Sequence, residues 1–448
     1  MKKRFFVCFA LLIAGLAGSL FAYDFGVTID NNTEYWSKEG EGFLQEDTGH
    51  LWFSTYLGES WLFSASLEGT LSSDSPTFYA DVETLSLKGT FPHLENGNSL
   101  FAIEIGRFFH KEFSSYVFAH RMDGIRMDFG YSWTNIQIAV GYTGLLNKYY
   151  TSLVMSRLDA MDDIDDDILF APKRLIGTLS WNIPELFARQ NLTLSMIVNE
   201  DLRHLFEDVI EEGKETFDPT SGGLVETQYF GVGLDGPLTR TLYYDLFFYL
   251  GTGRTLTFGP DSQSNTLESY QYKDIRSVLT GFSLRYYLEE FFQSVAGLKF
   301  LYATGDKDTN SYLEGNQKGD LTMFLPVSGK TLGTAFNPKS SNLMAAEVSF
   351  SLKPFGGLKG SLVESLQTGI ILTPFFKASK GAMSEGEVDP SSSAGYVGTD
   401  IAATANLRPF SDLGLGVVVG LFLPDSNAFL PGNDDTLVYG QFVFSFAF

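Results

Sequence analysis

Residues 436–448 read TLVYGQFVFSFAF, and their alternation decides the fold. Val438, Phe442, Phe444, Phe446 and Phe448 fall on one side with Gly440 between them, while Leu437, Tyr439, Gln441, Val443, Ser445 and Ala447 make a mixed opposite side. Alternation with a period of two marks a strand with two different surroundings, and a face of valine and phenylalanine suits lipid better than a small core. The segment predicts a membrane-spanning strand whose other face meets water.

The same signal recurs along the chain. It predicts eighteen strands, near residues 23–35, 48–57, 60–71, 77–89, 99–108, 116–129, 131–142, 173–183, 190–200, 226–235, 240–252, 274–287, 291–304, 342–353, 362–376, 395–408, 413–423 and 436–448. The connections tend to alternate between short (58–59, 130, 184–189, 236–239, 289–290, 354–360, 409–412) and long (143–172, 201–225, 253–273, 305–341, 377–394, 424–435). Short turns at one end and long loops at the other describe a transmembrane antiparallel β-barrel, with about eighteen strands favoured and sixteen the nearest alternative. Composition agrees: 45 Gly, 41 Phe, 21 Tyr and 5 Trp go with a mean hydropathy near zero, as expected when lipid-facing and water-facing residues alternate. The longest uncharged apolar stretch, residues 413–423, is too short and too glycine-rich for a spanning helix.

Residues 1–22 carry Lys2, Lys3 and Arg4, an apolar run over 5–16 and small residues leading to Ala22, which predicts a secretory signal cleaved before Tyr23. Cys8, the single cysteine, would leave with it, so disulfides, cysteine-ligated zinc and a cysteine nucleophile are not expected in the mature barrel domain, 23–448. Loss of three basic residues makes the mature chain still more acidic than the −23 of the full one. Nucleic acid is excluded as a partner, because binding it needs clustered Lys and Arg.

Within a strand, the face carrying charge should line the lumen, since a charge at the bilayer midplane costs roughly 2–4 kcal/mol for Lys or Arg and somewhat less for Asp or Glu. By that rule Asp81, Glu83, Glu104, Arg126, Asp128, Arg174, Asp245, Arg285, Lys299, Glu347 and Arg408 are pore-lining candidates. Five are basic and six acidic, so the wall is nearly balanced and the acidity sits in the loops. Either wall-to-wall ion pairs or a selectivity role would explain such residues.

The motifs offer little chemistry. Residues 231–236, GVGLDG, match a phosphate-cradling spacing, but they end a strand and run into Pro237 instead of opening a helix. His50, His93, His110, His120 and His204 are scattered, with no H-E-x-x-H and no G-x-S-x-G, so the chain reads as a non-enzyme without a cofactor. Asp159, Asp162, Asp163, Asp165, Asp166 and Asp167 crowd nine residues, and residues 200–218 hold eight more acids around an apolar stripe (Leu202, Leu205, Phe206, Val209, Ile210) that could form an amphipathic helix. Both clusters are expected at a pore mouth, as solvated loops or as attractors of cations. Asp306, Asp308 and Asn310 follow the opening D-x-D-x-N of a calcium loop, although Ser311 and Gln317 stand where Gly and Glu are needed. They are the candidate metal ligands.

A chain that ends on Phe in this phase resembles bacterial outer-membrane β-barrels. That resemblance implies a bacterial outer-membrane location, contact with its lipid, and recognition of Phe444, Phe446 and Phe448 by the barrel-insertion machinery. A second, local resemblance lies in Ala303-Thr304-Gly305-Asp306, Thr322-Met323-Phe324-Leu325-Pro326, Leu332-Gly333, Asn342-Leu343 and Leu352-Lys353-Pro354. These are similar to the alginate-export family of outer-membrane channels, whose eighteen-stranded members show Gly-Asp, Phe-x-Pro and Asn-Leu elements in this order. A polyanion exporter would present an arginine-rich conduit, which this balanced wall does not offer. The expected function is a porin-like passive channel for small polar solutes with a modest cation preference. Two alternatives stay open, a surface adhesin binding through its long loops and a transporter of apolar substrates through a plugged barrel. Residues 320–336 (DLTMFLPVSGKTLGTAF) have the apolar content to fold inward as a constriction or plug.

Overall fold

The computed structural model describes residues 23–38, 42–92, 99–205, 210–218, 224–260, 268–314 and 319–448. The expected signal at 1–22 and His93 lie outside these residues. Eighteen strands form one sheet: β1 (Tyr23–Trp36), β2 (Gly42–Leu57), β3 (Trp61–Ser72), β4 (Phe78–Pro92), β5 (Ser99–Lys111), β6 (Ala119–Tyr131), β7 (Thr134–Tyr142), β8 (Arg174–Phe187), β9 (Gln190–Asp201), β10 (Leu224–Pro237), β11 (Leu242–Pro260), β12 (Glu268–Leu288), β13 (Ser294–Ala303), β14 (Leu343–Leu352), β15 (Gln367–Lys377), β16 (Tyr396–Phe410), β17 (Leu413–Pro424) and β18 (Leu437–Ala447). Each pairs antiparallel with its sequence neighbours, and β1 pairs with β18 from Thr28↔Ala447 to Trp36↔Tyr439. The sheet is therefore a closed barrel with no free edge, the condition for strands to cross a bilayer without unpaired backbone groups.

The two faces separate as the alternation requires. On β11, Leu246, Phe248 and Leu250 are 41–43 % exposed to the outside, whereas Phe247 (5 %) and Tyr249 (0 %) point in and are covered. On β18, Val438 and Phe442 are exposed, as is Phe448 just past its end, while Tyr439 is buried, and Gln441 donates to Asn32 and Glu34 across the inner wall. Outward aromatic rings make a girdle near the end that carries the termini, with Trp61 on Phe91 (5.6 Å), Phe91 on Phe101 (6.1 Å) and Phe101 on Phe129 (5.1 Å). Such belts sit where a bilayer meets water.

The strands differ from expectation mainly in length. Of the loop expected over 253–273, the described residues instead continue the β11–β12 hairpin, paired from Gly253↔Ile275 to Pro260↔Glu268, and residues 261–267 lie outside the description. An antiparallel ladder needs only backbone partners and one covered face, and here Leu224, Leu256 and Tyr270 supply a small apolar cluster beyond the membrane band. The amphipathic helix expected within 200–218 is also not what the described residues form. Arg203–Leu205 makes a single 3-10 turn, and residues 206–209 lie outside the description. Among the described residues one α-helix, α1 (Arg157–Ile164), lies in the long β7–β8 loop.

Candidate functional site

The loop after β13 does not return along the outside. It enters the barrel. Asp306 starts the entry, accepting from the Asp308 amide (2.9 Å) on one oxygen and from the Thr322 amide (2.8 Å) on the other. Leu321 then bridges β12, its amide donating to the Asp274 carbonyl (2.7 Å) and its carbonyl accepting from the Arg276 amide (2.9 Å). Phe324 packs against Tyr229, whose hydroxyl donates to the Leu325 carbonyl. Val327 and Ser328 donate to the Val117 carbonyl, and at Gly329 a Cβ would come within 2.2 Å of the Tyr116 carbonyl oxygen, so no side chain fits there.

Six residues on, the same loop is held by the opposite wall. Asp400 on β16 accepts from the amides of Thr334 (3.2 Å), Ala335 (2.8 Å) and Phe336 (3.1 Å), and the Phe336 ring stacks on Phe422 of β17 at 4.3 Å. From Ser328 to Thr334 an extended chain reaches at most ~20 Å. The segment therefore strings across the lumen, between the β5–β6 side and the β16–β17 side. Asn342, at φ +48°, ends the excursion; its side chain donates to the Gly381 and Ala382 carbonyls and accepts from the Ser379 amide.

A second loop, residues 112–118 between β5 and β6, leans in beneath it. The buried Glu112 carboxylate accepts from the Ser114 amide and hydroxyl, from the Val117 amide and from the Tyr249 hydroxyl on β11 (2.5 Å). Phe113 stacks on Tyr249 at 5.3 Å and Tyr116 on Phe247 at 5.5 Å. The glycines of the 231–236 motif have their explanation here: a Cβ on Gly231 would meet the Tyr249 ring at 2.2 Å and one on Gly233 the Phe113 ring at 2.5 Å. They make room for inward aromatics.

Most of the expected wall residues are ion-paired. Glu104 meets Arg126 (2.5 Å), which also reaches Asp128 (3.5 Å); Lys299 meets Glu347 (2.7 Å); Asp81 meets Arg107 (2.7 Å). Glu83 joins His50 (3.2 Å) and Arg121 (3.4 Å), beside Glu68, which Arg121 also holds. Asp245, Arg285 and Arg408 form no ion pair among the described residues, and Arg408 lines a 440 Å³ recess near the termini with Ser365, Asn406, Gly416 and Gln441. Arg174 differs from expectation: it is fully buried beneath the β7–β8 loop instead of facing water. Glu68 obeys the inward-charge rule and belongs with the wall residues. Arg107 was hidden from that rule because Gly106, at φ +122°, breaks the alternation just before it.

The acidic cluster divides in two. Asp163, Asp165, Asp166 and Asp167 are exposed, but Asp159 and Asp162 are buried and are not mouth acids. Asp159 contacts Arg174 (2.7 Å) and Arg203 (2.5 Å); Asp162 contacts Arg203 (3.0 Å); Asp201 contacts Arg203 (2.8 Å) and Arg174 (3.4 Å). Burial alone would raise the Asp159 carboxyl, yet the two guanidiniums outweigh it and hold the group well below the usual carboxylate range. Asp159 also caps α1, accepting from the Met155 and Ser156 amides. The network clamps the β7–β8 and β9–β10 loops onto the wall.

Of the candidate metal ligands, Asp306 is buried with its oxygens turned to loop amides, while Asn310 is exposed. Among the described residues, the grouping of three His or carboxylate ligand atoms within 4.8 Å is a different one, His50, Glu68 and Glu83.

No protein-family model matches the chain, and no curated protein sequence does. Solved structures do match, over nearly the whole length. Pseudomonas aeruginosa OccK5 (OpdH) superposes with a TM-score of 0.54 at 11 % identity, covering 95 % of this chain and 97 % of that one. OpdL of the same organism gives 0.53 at 10 % identity over 96 % and 99 %. Its outer membrane protein OprD gives 0.51 at 11 % identity over 95 % and 94 %. The chain thus folds as a closed eighteen-stranded antiparallel β-barrel, similar in fold over nearly its whole length to these Pseudomonas aeruginosa proteins.

Proposed function

We propose that the barrel is a passive outer-membrane channel for small polar solutes, narrowed by its own loops and modestly cation-preferring. The observation that carries this reading is the contrast between the two ends of the lumen. Toward the termini the wall is lined by small and polar side chains such as Ser365, Asn406, Gly416 and Gln441. Toward the other end two loops fold inward and leave the passage to be set by their side chains. An eighteen-stranded barrel encloses more volume than its own side chains fill, which favours an aqueous path beside the loops. No catalytic grouping enters the reading, and the partners are lipid, the insertion machinery and the solutes themselves.

The cation preference rests on Asp163, Asp165, Asp166 and Asp167, whose exposed charge lies on the loop-bearing end. With a Debye length of ~8 Å at physiological salt, their field reaches only a local part of the mouth, so the preference should fade as salt rises. Planar-bilayer recording of the refolded protein tests both statements. We expect discrete conductance steps and a reversal potential under a salt gradient that moves toward non-selectivity when these four residues become Asn. Asp162 must be left intact, because it belongs to the buried clamp. Absence of steps would favour the adhesin alternative, and an unchanged reversal potential at low salt would remove the acids from the permeation path.

A further inference from the structure

We propose that a vestibule at the loop-bearing lip binds a small organic cation, an ammonium or guanidinium carried on an apolar body. The cavity holds 700 Å³, within the range of small-ligand sites. Trp36 from the end of β1, Phe336 from the inward loop, Phe429 from the β17–β18 loop and Leu437 at the start of β18 line its apolar side. Glu385, Glu387 and Asp435 line its polar side. The apolar side is firmly built: Trp36 lies 4.4 Å from Tyr439, and Phe336 is fixed between Phe422 and the Asp400 anchor.

Charge decides what fits. Lys38 satisfies Glu387 at 2.6 Å, but Glu385 has no ion pair among the described residues, only a 3.4 Å hydrogen bond from the Ser384 hydroxyl. Asp435 stands exposed at the rim. Three carboxylates against one ammonium leave the cavity short of positive charge. Lys339 approaches from the inward loop but is committed elsewhere, its Nζ donating to the Val154 carbonyl (2.8 Å) and lying over the Tyr312 ring. Burial and the neighbouring Glu387 push the Glu385 carboxyl above the usual glutamate range, against the pull of Lys38 and Lys339. A ligand cation supplies the missing counter-charge, and the face of Trp36 adds a cation–π surface for its head or a contact for its body. Occupancy favours the ionised carboxylate, so affinity weakens as pH falls.

The site can be tested by binding, whether or not the lumen conducts. The probe is phenethylammonium, titrated calorimetrically into the refolded full chain in zwitterionic micelles, with 2-phenylethanol as the uncharged control. We expect saturable binding of the ammonium and none of the alcohol. Glu385→Gln should weaken binding about tenfold, the scale of losing one charge-assisted contact in a partly buried site. Lys38→Gln should act in the opposite direction and tighten binding, because it frees Glu387. Heat-modifiable migration in gels verifies that each variant is folded; should Glu385→Gln not fold, the sign of the Lys38→Gln effect carries the test. Equal binding of alcohol and ammonium, wild-type affinity in folded Glu385→Gln, or weaker binding in Lys38→Gln would each overturn the proposal.

Discussion

Asp400, Asp306 and Glu112 act alike, each lending its carboxylate to backbone amides of a loop that crosses or enters the lumen. An inward loop has no sheet partner for most of its amides, and a buried donor left unpaired costs about 1–3 kcal/mol. A single carboxylate that accepts three amides, as Asp400 does, answers that need with one side chain. Asp400→Ala should therefore release residues 334–336 from the wall and speed amide exchange there by about ten- to a hundredfold, the counterpart of ~1.5–3 kcal/mol. Hydrogen–deuterium exchange with peptide-level readout measures this. Unchanged protection over 332–337 would show that Phe336 stacking alone holds the loop.

The inward loop as an element explains the short motifs within it. Gly305-Asp306, Phe324-Leu325-Pro326 and Asn342-Leu343 are the entry anchor, the packed middle and the exit of one excursion. Their order along the chain follows from the path across the lumen. If this element sets the width of the passage, replacing residues 321–336 by a short Gly-Ser link should raise single-channel conductance roughly twofold or more, since the barrel itself stays closed. The current recording that detects the channel also reads this outcome. A truncated protein that folds and conducts as before would assign the constriction to the 112–118 loop.

At the scale of the whole molecule, closure depends on β1 meeting β18. Past the last ladder pair, the Phe448 amide donates to the Val27 carbonyl at 2.9 Å, and the Phe448 ring lies 4.7 Å from Phe446 on the lipid side. Deleting Phe448 should lower the amount of heat-modifiable protein in the outer membrane several-fold while export proceeds, whereas Phe448→Tyr should retain most of it, because the aromatic face and backbone bonds survive. Quantitative immunoblotting of membrane and periplasmic fractions decides it; normal assembly of the deletion would remove the terminal Phe from the insertion signal.

The strand number, the lipid and lumen faces and the end at which long loops gather were all legible in the sequence, because each follows from period-two alternation and from the cost of placing charge in lipid. Residues 320–336 could be marked as an inward segment on apolar content alone. What the sequence could not show was partnership. Six aspartates in nine residues look solvated until Arg174 and Arg203 arrive from separate strands and loops to bury two of them. Gly231 and Gly233 look like a phosphate motif until the rings of Tyr249 and Phe113 cover them. The polar strands beyond residue 253 look like a loop until they pair with each other. Alternation is a local property, set by the solvent on each side of a strand. Which charge is neutralised, which glycine is crowded and which loop turns inward depend on contacts between residues tens to hundreds apart, and only the closed barrel brings those together.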